Sequence, residues 1–154
     1  MKQAGEFVIR AYGLVLNDDN EVLVTDEYLL DMEMTKFPGG GLHFGEGIIK
    51  CLKREFIEEC NGQLIKNIRH FYTTDFYQKA LFYENAQLMS IYYLVDLEHP
   101  VKFPISDKPF NFPPKVNGSQ SFRWLNLMSA TPDMLTFPID RHVLLMLKDF
   151  AERR

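Results

Sequence analysis

Apolar residues along the chain change period several times. Phe7 to Leu16 (FVIRAYGLVL) and Glu21 to Thr25 (EVLVT) are dominated by Val, Ile and Leu and are separated by Asn17-Asp18-Asp19-Asn20. That pattern predicts two strands joined by a turn. Further on, Ile49, Leu52, Phe56 and Cys60 recur at helical spacing, which predicts an amphipathic helix from Ile48 to Cys60. Asn61 and Gly62 follow, and both tolerate the left-handed conformation with which helices commonly end. Strand-like composition returns between Ile68 and Leu97, in HFYTTDFY and in QLMSIYYLVDL, the latter long enough for a central strand, and again in Ser121 to Leu127. Val143, Leu144, Leu147 and Phe150 mark one face of a closing helix over Asp140 to Arg154. Strands, helix, strands, helix is the order of an α/β or α+β domain around a mixed sheet.

Composition narrows the class. The chain has 154 residues, 46% hydrophobic and 25% charged, which suits one globular domain able to bury a core without disulfides or structural metal. No apolar run is long enough to span a bilayer as a helix. Glu6 and Arg10 interrupt the N-terminal apolar residues, so no secretory signal is read there and a cytoplasmic location is expected. A net charge of −4 without a basic run argues against a nucleic-acid polymer as partner. Cys51 and Cys60, nine residues apart on one helix, lie on opposite faces and cannot pair with each other.

The chemistry concentrates in Phe37 to Gln63, FPGGGLHFGEGIIKCLKREFIEECNGQ. At about 100° per residue, Glu55, Glu58 and Glu59 share an arc of about 100° on the helix. Like charges so placed destabilise a helix by a few tenths of a kcal/mol per pair, and Arg54 is the one cation beside them. A solvated acidic face is the ordinary reading of such a cluster. The glycines upstream change the balance, because a backbone free of side chains can approach a phosphate and leads into the same helix. Clustered carboxylates facing phosphate are the donor set that Mg²⁺ takes.

The spacing is specific. From Gly40, five residues lead to Glu46, seven more lead to Arg54-Glu55, and Phe56, Ile57 and Glu58-Glu59 follow. This resembles the Nudix box, with Gly40, Glu46, Arg54, Glu55, Glu58 and Glu59 all at its specified positions. The departure is at its end, where Asn61 takes the place of the closing glycine and Gly62 that of the apolar residue. The resemblance implies a Nudix-type α/β/α sandwich around a mixed sheet, and a metal-dependent pyrophosphohydrolase cleaving a nucleoside diphosphate linked to another group. It implies that Glu55, Glu58 and Glu59 ligate Mg²⁺ or Mn²⁺ together with the carbonyl of Gly39 or Gly40, that Arg54 orients the glutamates, and that Glu46 supports the cluster. It also leaves a homodimer open.

Family members differ in which carboxylate takes the proton from water. No acidic residue stands between Asp107 and Asp133, and Gln120 and Ser121 occupy the place where a later glutamate would be expected. The base is therefore assigned within the box, to Glu55 or Glu58. Arg10 and Tyr12, on one face of the first strand, and Gln87, with Ser90 and Tyr92 or Tyr93 in the long strand, are the candidate substrate contacts. His43 is read as loop filler and Trp124 as packing. The proline-rich segment from His99 to Ser121 is either a border of the active site or a surface wrap. A non-catalytic Nudix-fold sensing module is the alternative; such modules often lose box glutamates, which this chain keeps. An isopentenyl-diphosphate isomerase type of activity would call for a cysteine outside the helix.

Overall fold

The computed structural model describes residues 5–154. Strands β1 (Glu6–Leu14), β2 (Glu21–Leu29), β3 (Met32–Lys36) and β4 (Gly39–Gly41) precede helix α1 (Ile48–Glu59). Then come β5 (Ile65–Thr73), β6 (Ala86–Leu97), β7 (Ile105–Ser106), β8 (Ser119–Asn126), a 3₁₀ turn (Pro132–Met134) and α2 (Pro138–Glu152). The expected mixed α+β architecture is present, with its strands divided between two four-stranded sheets ordered β4-β1-β6-β5 and β3-β2-β8-β7. Each sheet is mixed: β1 runs parallel to β6 and β7 parallel to β8, while the other neighbours are antiparallel. No helix among the described residues is long and apolar enough to cross a membrane.

Alternation along β1 assigns a face to each helix. Tyr12 and Leu14 join Val22, Val24, Tyr92, Leu125 and the α2 residues Val143, Leu144 and Leu147 in one core. Ala11 and Val15 join Leu23, Val95, Phe122 and the α1 residues Leu52, Phe56 and Cys60 in the other. Both cores draw on both sheets, and the helices cover opposite faces, as period-2 alternation requires. Trp124 packs against the α1 core.

The 99–121 segment is a surface wrap. The Asn61 amide donates to the Lys102 carbonyl at 2.7 Å, the Phe110 N–H donates to Asp26, and the Asn117 side-chain oxygen accepts from the Leu30 N–H. Asp26, buried, also holds Arg123 at 2.7 Å and Thr35 at 2.7 Å. The segment therefore fastens to β2 and the turn that follows it, and it reaches residues of the cavity described below through Asn117, at Leu30, and Gln120, at Glu27.

Two local features lead to stability tests. Asn61 adopts φ 54° and the Gly62 N–H donates to the Ile57 carbonyl at 2.9 Å, so the helix exits in a Schellman turn with asparagine at the left-handed position. Asn61→Ala loses both the tolerance for that conformation and the bond to Lys102. It is expected to lower stability by about 1–3 kcal/mol in chemical denaturation, and Asn61→Gly by less. In α2, Asp140 is buried and accepts a hydrogen bond from the Tyr92 hydroxyl at 2.5 Å. Burial pushes its carboxyl up to about 6. A raised carboxyl favours the folded state below its unfolded value, near 4, and that advantage fades as pH rises through 6. Between pH 4 and pH 8, the stability of the parent relative to Asp140→Asn is expected to fall by roughly 3 kcal/mol; equal pH profiles would refute the assignment.

Candidate functional site

Helix α1 approaches β1 and β4 more closely than side chains would allow. A Cβ on Gly40 would lie 2.3 Å from the Glu55 carboxyl carbon, and one on Gly13 would lie 2.6 Å from the Phe56 ring. Gly39, at φ +152°, brings its Cα so near β1 that a Cβ would meet the Ala11 carbonyl at 2.0 Å. The glycines thus form a strand paired with β1, Gly41 opposite Arg10 and Gly39 opposite Tyr12, and that strand seats the glutamate helix.

Arg54 organises one side of the helix. It donates to both oxygens of Glu46, at 2.7 and 2.8 Å, to Glu55 at 2.8 Å, to Glu58 at 3.2 Å, and to the Gly41 carbonyl at 2.9 Å. Its hydrogen bonds hold the Glu46 carboxyl down to about 2, helped by the His43 backbone N–H. Glu55 is buried, whereas Glu58 keeps 56% of its side chain exposed.

Glu59 lies among other groups. Among the described residues, its Oε2 is buried without a hydrogen-bond partner. Burial raises its carboxyl to about 7; Glu27 and Glu55 add to the rise, while Lys36 and Arg10 oppose it. Among the described residues no three His, Cys, Asp or Glu side chains are gathered as a metal centre, and Arg54 engages Glu55 and Glu58. The donor set nevertheless fits a hard divalent cation: three carboxylates from one helix, one with a buried oxygen unpartnered among the described residues, beside a strand made of glycines.

A cavity of about 610 Å³ opens beside this cluster. Arg10, Tyr12, Glu27 and Lys36 line one part of it, and Leu29, Met32, Met34, Phe82 and Phe137 line another. Arg10 donates to the Tyr12 hydroxyl at 2.5 Å, and the Tyr12 ring stacks on Tyr92 with centroids 5.2 Å apart.

Of the expected substrate contacts, Arg10 and Tyr12 therefore stand together in the cavity, with Ser90 and Tyr92. Gln87 does not join them: it lines a separate hollow with Glu6, Phe7 and Tyr77. The reason is strand alternation, since Leu88, Ser90 and Tyr92 face the cavity and Gln87 is out of phase with them. Tyr93 belongs to the α1 core. Gln120 is not in a catalytic position; its amide donates to Thr25 at 2.9 Å and Glu27 at 3.1 Å. Lys79, Asp140, Glu27 and Lys36 are charged cavity residues that sequence reasoning missed; for the last two a signal existed. The available signals were an Asp26-Glu27 pair inside an otherwise apolar strand and a lysine directly before Phe37-Pro38-Gly39.

Comparisons with known proteins bear on the family and the fold. The family model described as NUDIX domain matches residues 7–146. A search of curated proteins gave no match. Among solved structures, a NUDIX hydrolase from Nitrosomonas europaea is similar with a TM-score of 0.65 at 16% identity, over 97% of this chain and 92% of that one. The E. coli ORF135 protein is similar with a TM-score of 0.66 at 12% identity, over 97% and 94%. A MutT protein from Methanosarcina mazei Go1 gives 0.61 at 15% identity, over 99% and 100%. These identities speak for the fold, and the domain match over most of the chain speaks for the family. The chain belongs to the Nudix family, as a hydrolase of phosphoric anhydride bonds.

Proposed function

We propose that this protein is a metal-dependent pyrophosphohydrolase that cleaves a nucleoside diphosphate joined to another group, working as a single cytoplasmic domain. The observation that carries the metal dependence is the unpartnered, buried Glu59 Oε2 on the same helix as Glu55 and Glu58. A Mg²⁺ or Mn²⁺ ion held by Glu55, Glu58 and Glu59 with a Gly39 or Gly40 carbonyl would supply charge neutralisation at the phosphoryl oxygens and acidify water.

The protein's own groups divide the remaining work. Glu46 anchors Arg54 through two hydrogen bonds, and Arg54 orients Glu55 and Glu58. Water attacks phosphorus, the P–O anhydride bond breaks, and a box carboxylate accepts the proton from water. Glu55 is clamped and buried; Glu58, half exposed and held by a single longer contact, is the freer of the two candidate bases. Arg10 meets the substrate phosphates from the cavity side.

A panel of nucleoside diphosphate derivatives with Mg²⁺ or Mn²⁺ tests the reading. Turnover is expected on at least one member and should vanish with EDTA. Glu58→Gln and Glu59→Gln are expected to lower kcat by about 10²–10⁴-fold, and Arg54→Gln activity by about 10–100-fold. Turnover that survives both glutamate substitutions would refute the metal assignment. No turnover on the panel, with nucleotide binding intact, would favour a sensing module.

A further inference from the structure

Lys36 is the last residue of β3, separated by Phe37 and Pro38 from the glycine strand, and its side chain is 9% exposed. It makes one ion pair, with Glu27 at 3.2 Å. Glu27 is in turn held from the other side by the Gln120 amide at 3.1 Å, and Gln120 is fixed to Thr25 at 2.9 Å. An ammonium has three donors, so a single carboxylate leaves Lys36 with capacity to spare.

Its surroundings are unusual for a purely structural lysine. Arg10, a second partly buried cation, lines the same cavity. Burial works against the Lys36 charge, as does Arg10, yet Tyr12, Glu27 and Glu59 outweigh them and its pKa is raised. Lys36 thus stays an ammonium in a largely apolar cavity. Replacing a buried ion pair by apolar residues is often neutral or stabilising, so packing gives no reason to keep two cations here. An anion in the cavity gives one.

We propose that Lys36 is a phosphate-binding residue, held in place by Glu27 and Gln120, which with Arg10 forms the cationic end of the cavity for a diphosphate ligand. The other end is walled by Leu29, Met32, Met34, Leu81, Phe82 and Phe137. Of the cavity's polar groups, Asp140 is committed to Tyr92 and the Thr136 hydroxyl to the Thr35 N–H at 2.8 Å, while Gln78, Lys79 and Tyr83 also line it. The phosphates orient the ligand at this end, and much of its remaining body packs against the apolar walls. This rests on the pyrophosphohydrolase reading for the identity of the anion, although the binding measurement does not depend on turnover.

The test is calorimetric binding of α,β-methylene-ADP to the intact chain, in EDTA and in Mg²⁺. Lys36→Met is expected to weaken binding at least tenfold in both buffers, while Lys36→Arg stays within about threefold of the parent. Mn²⁺ affinity in the absence of nucleotide is expected to hold or rise in Lys36→Met, since a cation beside Glu59 is removed, whereas loss of a metal ligand would lower it. Should Lys36→Met fail to fold, the Lys36→Met/Glu27→Met double variant removes both charges of the pair and serves the same comparison. Equal binding by a folded variant lacking Lys36, or no binding by the parent chain, overturns the inference. A failure of the pyrophosphohydrolase reading would show instead as absent turnover with the Lys36-dependent binding intact.

Discussion

The close contact between α1 and the β1–β4 ribbon is the constraint on which the rest depends. Phe56 fills the space over Gly13, and the Glu55 carboxylate fills the space over Gly40. A single methyl group at either glycine would collide. Burial of Phe56, Leu52 and Cys60 in the α1 core holds the helix against the strands, and the missing side chains on the strands let it come near. Apolar packing on one face of the helix thereby delivers charged groups on the other to the backbone of the glycine strand.

Those charges are arranged rather than merely tolerated. Arg54 gathers Glu46, Glu55 and Glu58 on one side of the helix. On the other, Glu59, Glu27, Lys36 and Arg10 form a mixed cluster where the cavity begins. Of the helix carboxylates that would repel one another in water, Glu55 and Glu58 share Arg54, while among the described residues the Glu59 Oε2 has no hydrogen-bond partner. Such an oxygen is costly to bury, and a bound cation with its phosphate ligand would relieve that cost. The second sheet contributes through Lys36 and Glu27, so the two cations Arg10 and Lys36 come from different sheets, with the exposed Lys79 a third on the lining.

Much of this was legible in the sequence, and the limits have physical causes. The helix from Ile48 onward, its exit at Asn61, and the box residues could be read because they depend on local spacing. The short strands β3 and β4 could not, since Gly39-Gly40-Gly41 has no strand propensity and becomes a strand only by pairing with β1. The division into two sheets is likewise a matter of long-range pairing. Glu27 and Lys36 meet through strand register across β2 and β3, which no local pattern reveals. Gln87 was misplaced for a different reason: its phase along β6 already set it on the opposite face from Ser90 and Tyr92.

The most direct measurement is Mn²⁺ binding by Gly40→Ala, followed by the paramagnetic resonance of free Mn²⁺ alongside thermal unfolding. The added methyl would collide with the end of the flexible Glu55 side chain, 2.3 Å away, so the carboxylate can swing aside while the fold survives. The account expects a folded protein with a melting temperature close to the parent's and Mn²⁺ affinity reduced at least tenfold. A folded Gly40→Ala protein that binds Mn²⁺ as tightly as the parent would contradict it.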